Sequence, residues 1–196
     1  MLKVGITGGI GSGKTTVCKV FEILGIPVFY ADTVAKQIMV TDLILVEGVK
    51  STFGEESYTT EGFLNNKHIA GIVFENKTEL AKLNALVHPA VFRAFDEWEK
   101  TISPKVPYTL KEAALLFESG SYKMCDINIL VKAPLSVKIE RIMQRDQASE
   151  AQVLARMDKQ LTDEQKAPLA DYFIDNTESS SIILQVLTLH QQFLNL

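Results

Sequence analysis

The run Gly8-Gly9-Ile10-Gly11-Ser12-Gly13-Lys14-Thr15 restricts this chain more than any other stretch. Leu2-Lys3-Val4-Gly5-Ile6-Thr7 before it reads as a short buried β-strand. After it, Val17, Val20, Phe21 and Leu24 fall at i, i+3, i+4 and i+7, one face of a helix that stops at Gly25. Strand, glycine-rich turn and helix in that order match the phosphate-binding pattern G-x-x-x-x-G-K-[ST] in the context its mechanism needs. Glycines let the backbone curl so that successive N–H groups point at a polyphosphate, and the helix turns its positive end to the same anion. The expected nucleotide contacts are Gly9, Gly11, Ser12, Gly13, Lys14, Thr15 and Thr16. Lys14 reaches the β- and γ-phosphates, and the Thr15 hydroxyl is the expected Mg²⁺ ligand.

Ile26 to Ala31 reads as a second strand ending at Asp32, and residues 33–40 as a helix with Asp32 or Thr33 as its cap. The next core strand, Val106 to Lys111, comes about seventy-five positions later. A parallel crossover needs about a dozen residues or somewhat more, so the surplus implies an inserted subdomain. Its pattern is helical: Ile69, Ile72 and Val73 share a face, as do Leu80, Leu83, Leu86 and Val87, and Pro89 suits the start of a helix carrying Phe92, Phe95, Trp98 and Ile102. Ala113 to Gly120 is an apolar run that closes on Glu118 and a turn. Ile127 to Val131 is a fourth strand, and Pro134 opens a helix with Leu135, Ile139, Ile142 and Met143. Two capping boxes, Ser149-x-x-Gln152 and Thr162-x-x-Gln165, announce short helices. Tyr172-Phe173-Ile174 is a fifth strand running into Asp175-Asn176, and Ile182, Ile183, Val186, Leu189 and Phe193 mark a closing helix.

The expected architecture is α/β: a five-stranded parallel sheet flanked by helices on both faces, as in a P-loop kinase, with a helical insertion and a helical lid. Residues 1–40, 106–135 and 168–196 would form the nucleotide-binding core, residues 41–105 the acceptor-binding insertion and residues 136–167 the lid.

With 196 residues, 46% of them hydrophobic, the chain has enough material for one core plus such an insertion. A net charge of −4 without any lysine or arginine run argues against nucleic-acid or membrane-surface binding. Cys18 and Cys125 have no metal or redox spacing, and neither do His68, His88 and His190. His88 before Pro89 reads as a helix cap, and His190 as the edge of a helix face. The chain opens on strand residues and has no apolar run of spanning length, so a reduced, cytoplasmic protein is expected.

Ligands of such sheets gather outside the carboxyl ends of the strands. Asp32 follows strand two, and Glu112 and Glu118 lie at or after strand three. A carboxylate at Asp32 would take a proton from an acceptor hydroxyl or orient it for in-line attack; the competing role is a helix cap, and the two can coexist. Of four arginines, Arg141, Arg145 and Arg156 lie within sixteen positions, and Arg141 and Arg145 share a helix face. They suit a lid that neutralises a γ-phosphate, or a solvated helix paired with Glu140, Asp146 and Glu150.

The ordered set Thr7-Gly8-Gly9-Ile10-Gly11-Ser12-Gly13-Lys14-Thr15-Thr16-Val17, Leu24-Gly25, Ala31-Asp32, Phe53-Gly54, Val73-Phe74, His88-Pro89, Leu115-Leu116-Phe117-Glu118, Arg141 with Arg145, Gln160, Ala170-Asp171 and Asn176 resembles the dephospho-coenzyme A kinase family over nearly the full length. The resemblance implies ATP-dependent phosphorylation of the ribose 3′-hydroxyl of dephospho-coenzyme A, with ATP and Mg²⁺ required. It implies Asp32 as general base, Lys14 and Arg145 as charge stabilisers, and Arg141 and Asn176 as nucleotide contacts. Thr7, Lys36, His88 and Glu118 would line the acceptor side. The chain departs from the family at Lys36 and at Leu64-Asn65-Asn66-Lys67, where the family usually shows arginines; lysine keeps the charge and loses the bidentate fork. The expected assembly is a monomer or small homo-oligomer. The rival readings are another small-molecule kinase of the nucleoside monophosphate, shikimate or gluconate type, and a nucleotide-dependent switch. A monophosphate acceptor needs arginine clamps near Asp32, yet the first arginine is Arg93. A switch has no use for an acceptor-sized insertion and lid arginines.

Overall fold

In a computed structural model describing residues 1–74 and 76–196, the apolar segments form a single parallel sheet. Its strands are β1 (Leu2–Thr7), β2 (Val28–Tyr30), β3 (Tyr108–Glu112), β4 (Ile127–Lys132) and β5 (Tyr172–Asp175), in the order β2-β3-β1-β4-β5. Helix α1 (Lys14–Ile23) follows β1. Helices α2 (Ala31–Thr41), α3 (Leu43–Phe53), α4 (Asn66–Val73) and α5 (Lys77–Thr101) lie between β2 and β3. Helices α6 (Leu135–Asp146), α7 (Glu150–Met157) and α8 (Asp163–Lys166) lie between β4 and β5, and α9 (Ile182–Phe193) closes the chain. Residues Met1–Tyr30 and Ile102–Leu196 make one unit and Ala31–Thr101 a second.

In the first unit β1 is central, with Leu2 opposite Tyr108 on one side and Val4 opposite Ile127 on the other. These strands are covered on both faces, so β3 is buried along its whole length even where Thr109, Lys111 and Glu112 alternate with apolar residues. Val4, Ile6, Leu110, Ile129, Val131 and Ile174 pack with Val17 and Phe21 of α1 and with Val186, Leu189 and Phe193 of α9. Tyr108 is fully buried, its ring edge-on to Phe21 and Phe193 at 6.3 and 5.4 Å. Its hydroxyl bonds His190 Nδ1 at 2.6 Å, and burial pushes its pKa up, so the phenol stays neutral. His190 therefore satisfies a buried tyrosine; the sequence pattern showed it only as a helix edge. On the opposite face a Cβ at Gly5 would lie 2.9 Å from Leu116 Cδ2, so the β3–β4 connection lies directly on the backbone of β1. That connection holds a short 3₁₀ turn, Ser121–Met124.

The second unit has its own core of Met39, Leu45, Val49, Phe53, Tyr58, Ile69 and Ala90. The Tyr58 hydroxyl donates to the Met39 carbonyl at 2.7 Å, tying α2 into this unit. The unit consequently begins at Ala31, ten residues before the boundary expected from sequence, because Met39 faces this core. Asp42 caps α3 by accepting from Leu45 N at 2.9 Å and pairs with Arg93 Nη2 at 2.7 Å. Asn65 caps α4 by accepting from His68 N at 3.1 Å, which gives the residue next to Asn66-Lys67 a structural use.

Two expectations are corrected here. Pro89 lies inside the continuous 25-residue α5 rather than at a helix start, and His88 is mid-helix and caps nothing. Proline removes the N–H that would reach the Ala85 carbonyl. Pro89 and Ala85 are both exposed, so the freed carbonyl lies on the solvent side of the helix, while buried Ala90, Val91 and Phe95 hold the helix beyond it.

Phe21 joins α1 to the sheet and is fully buried. Phe21→Ala is expected to destabilise the protein by about 3–5 kcal/mol, read as a lower urea midpoint with an unchanged slope.

Candidate active site

Strand β1 delivers residues 8–13 into α1 as a tight turn, closed by Ser12 N–H donating to Gly9 O at 3.0 Å. Gly13 adopts a left-handed φ of 92°, and a Cβ there would lie 2.1 Å from Asn176 Nδ2. Both facts demand glycine. Asn176, buried just beyond β5, donates from Nδ2 to the Ser12 carbonyl at 2.8 Å and accepts from Arg141 Nη2 at 3.2 Å. Arg141 also donates from Nη1 to the Gly11 carbonyl at 3.4 Å. A trans peptide points its N–H opposite its carbonyl, so a Ser12 carbonyl held outward turns the Gly13 N–H into the turn. Lys14 is buried, and its Nζ donates to Gly8 O at 3.0 Å and lies 3.5 Å from Gly9 O, across the mouth of the turn. Thr15 and Thr16 are exposed in the first turn of α1.

Glu112 is the acid that sequence reasoning noted without assigning a task. It ends β3, is buried, and registers against Ile6 of β1 and Tyr30 of β2. Burial pushes the Cys18 thiol up, and the charges of Glu112 and Glu22 add to this while Lys14 opposes it. Glu112 is thus close enough to Cys18, which lies one helical turn along α1 from Lys14, for its charge to act on that thiol. The signal that would have found it is the position of β3 beside β1, which no local pattern encodes.

Of the clustered arginines only Arg141 touches the turn. Arg145 donates from Nε and Nη2 to Asp146 at 2.7 and 3.1 Å, and Arg156 Nη1 donates to the same carboxylate at 2.6 Å. The Arg145 hydrogen bonds pull the Asp146 pKa down to about 2, helped by Arg156 and opposed by desolvation. Glu118 Oε1 accepts from Leu161 N at 2.9 Å and from Lys166 Nζ at 3.1 Å, and Thr7 is buried with its hydroxyl donating to Ala114 O at 3.4 Å. In the second unit, Asp32 and Lys36 are exposed on α2. Asp32 lies in the first turn rather than at the cap, where its charge suits the helix's positive end. His88 stacks on Phe92 at 6.5 Å, and burial lowers its pKa, so it is neutral at pH 7.

A family model described as dephospho-CoA kinase (CoaE) matches residues 2–181. The chain belongs to the dephospho-CoA kinase family. A protein named dephospho-CoA kinase from Chlorobium chlorochromatii (strain CaD3) is 41% identical over 180 residues, covering 89% of this chain and 85% of that protein. The crystal structure of TT1252 from Thermus thermophilus superposes with a TM-score of 0.85 at 32% identity, covering 97% of this chain and 96% of that one. A dephospho-CoA kinase from Campylobacter jejuni gives a TM-score of 0.72 at 28% identity, covering 98% and 97%.

In this dephospho-CoA kinase family chain, no helix among the described residues is long and apolar enough to cross a membrane. Its nucleotide turn is braced by two separate elements, α6 through Arg141 and the end of β5 through Asn176.

Gly13→Ala is expected to weaken nucleotide binding about tenfold or more through strain at the left-handed position, measured by titration calorimetry. His88 gives a pH-dependent expectation with a definite sign. Below its ordinary pKa of 6.5 the unfolded chain takes up a proton that the folded one does not. Stability therefore falls as the pH drops through that value, and His88→Gln shrinks the loss of urea midpoint between about pH 7.5 and about pH 5.5.

Proposed function

We propose that this chain is a kinase that transfers the γ-phosphoryl group of ATP to the ribose 3′-hydroxyl of dephospho-coenzyme A, yielding coenzyme A and ADP. The observation that carries this reading is the family match over residues 2–181 on a chain whose phosphate turn is braced by Arg141 and Asn176. The turn's inward amides and Lys14 neutralise the phosphate tail. Asp32 takes the proton of the acceptor hydroxyl as its oxygen attacks the γ-phosphorus in line, and the bond to the β-phosphate oxygen breaks as ADP leaves.

Thr15 holds Mg²⁺ in this reading. Mg²⁺ is commonly held by one or two side chains plus the substrate's phosphates, and the exposed Thr15 at the start of α1 suits that use. Bound there, Mg²⁺ would supply positive charge against the polyphosphate, and Thr15 is the residue of this chain that would hold it. Arg145 joins the transferring phosphoryl group by leaving Asp146, an exchange favoured by the exposure of that ion pair. Lys36 and neutral His88 serve the acceptor side directly. Thr7 and Glu118 act there through the backbone and lid contacts they already make. The location that goes with this reading is the cytoplasm.

In a coupled ADP-release assay, turnover is expected with dephospho-coenzyme A and not with nucleoside monophosphates, shikimate or gluconate. Turnover with a monophosphate alone would replace this reading with its rival. Asp32→Asn is expected to lower kcat by about 10²-fold while ATP affinity holds. Full activity in that variant would remove Asp32 from the chemistry.

A further inference from the structure

We propose that Gln160 is a positioning residue that fixes the phosphate turn from outside and thereby sets the location of the Lys14 ammonium. Gln160 follows α7, and its Oε1 accepts the Ile10 N–H at 2.9 Å across 150 positions of sequence. The Ile10 N–H and the Gly9 carbonyl belong to one peptide plane and point opposite ways. With the N–H held outward by Gln160, the Gly9 carbonyl faces inward, accepting from Ser12 N at 3.0 Å and lying 3.5 Å from Lys14 Nζ. Rotation of that one plane would remove the closing bond of the turn and one oxygen beside the ammonium. Gln160 therefore acts on Lys14 without touching it.

The segment that carries Gln160 is itself anchored. Leu161 N–H donates to Glu118 Oε1 at 2.9 Å. Asp163 pairs with Lys138 Nζ at 2.5 Å, both side chains largely buried, and a Cβ at Gly9 would lie 3.3 Å from that Nζ. Lys166, fully buried, reaches Glu118 at 3.1 Å and Ala114 O at 3.4 Å. Gln160 to Lys166 thus links the phosphate turn to the loop after β3. The tip of the lid differs: Arg145, Asp146 and Arg156 are exposed and bond one another. An amide at position 160 also suits its neighbours chemically, since it accepts the N–H without adding negative charge beside a polyphosphate.

The inference rests on the kinase reading only for its kinetic arm. Gln160→Met keeps the length of the side chain and removes the strong acceptor. Its Kd for ATP, measured by calorimetry without any acceptor substrate, is expected to rise about five- to tenfold, the scale of one lost hydrogen bond. KM for ATP should rise in step while kcat at saturation changes less than about twofold, because bound ATP re-imposes the turn. Hydrogen exchange gives the direct readout. The Ile10 amide should be protected in the nucleotide-free wild-type protein and lose protection in the variant, while the Leu161 amide, held by Glu118, keeps it. Rapid exchange of Ile10 in the wild type would overturn the proposal whether or not the variant folds. So would an unchanged Kd in Gln160→Met, or a loss of kcat with KM unmoved. A wild-type protein that binds ATP yet never phosphorylates dephospho-coenzyme A would reject the kinase reading and leave the affinity and exchange tests of Gln160 standing.

Discussion

The phosphate turn has to present several N–H groups to the same small volume, and such an arrangement is stable only if the outer half of each peptide is held. Three polar side chains from distant parts of the chain do this. Asn176 holds the Ser12 carbonyl, Arg141 the Gly11 carbonyl, and Gln160 the Ile10 N–H, at 2.8, 3.4 and 2.9 Å. The glycines matter for the same reason. Asn176 comes so close to Gly13 that a single methyl group there would displace it. The anion site is therefore a tertiary assembly built from β5, α6 and the return segment of the lid around a local turn.

The charges around this turn divide by burial. Lys14, Lys138 and Lys166 are buried, and each has a fixed oxygen partner: Gly8 O, Asp163 and Glu118. Removing one partner of a buried pair strands the other charge in low dielectric, so these contacts define the rigid part of the unit. Arg145 and Arg156 instead share one exposed carboxylate, a weak arrangement that water and ions compete with. Exposed pairs of the second kind exchange partners readily, whereas buried pairs of the first kind do not.

The Ala31–Thr101 unit follows the same economy of side chains. Its single arginine, Arg93, is engaged by Asp42, which also caps α3. Tyr58 and Asn65 organise backbone rather than a ligand. The cations left exposed there at the departures from the family pattern are Lys36 and Lys67, point charges on flexible stems.

What the chain's letters determine alone is whatever is settled within about ten residues, the span over which hydrophobic periodicity and capping act. The phosphate turn, the five apolar strands and both capping boxes, at Ser149 and Thr162, are of this kind, and all form. Family motifs extend this reach to the kind of chemistry. Tertiary structure alone decided that β3 lies beside β1, which sets Glu112 opposite Ile6, and that α2 packs with the helices after it through Met39. It also decided that α5 runs through Pro89, since burial of Ala90, Val91 and Phe95 outweighs one missing hydrogen bond. Gln160 with Ile10, and Tyr108 with His190, are partners separated by 150 and 82 positions. No local pattern encodes such pairs, because what joins them is the path of the chain through the sheet.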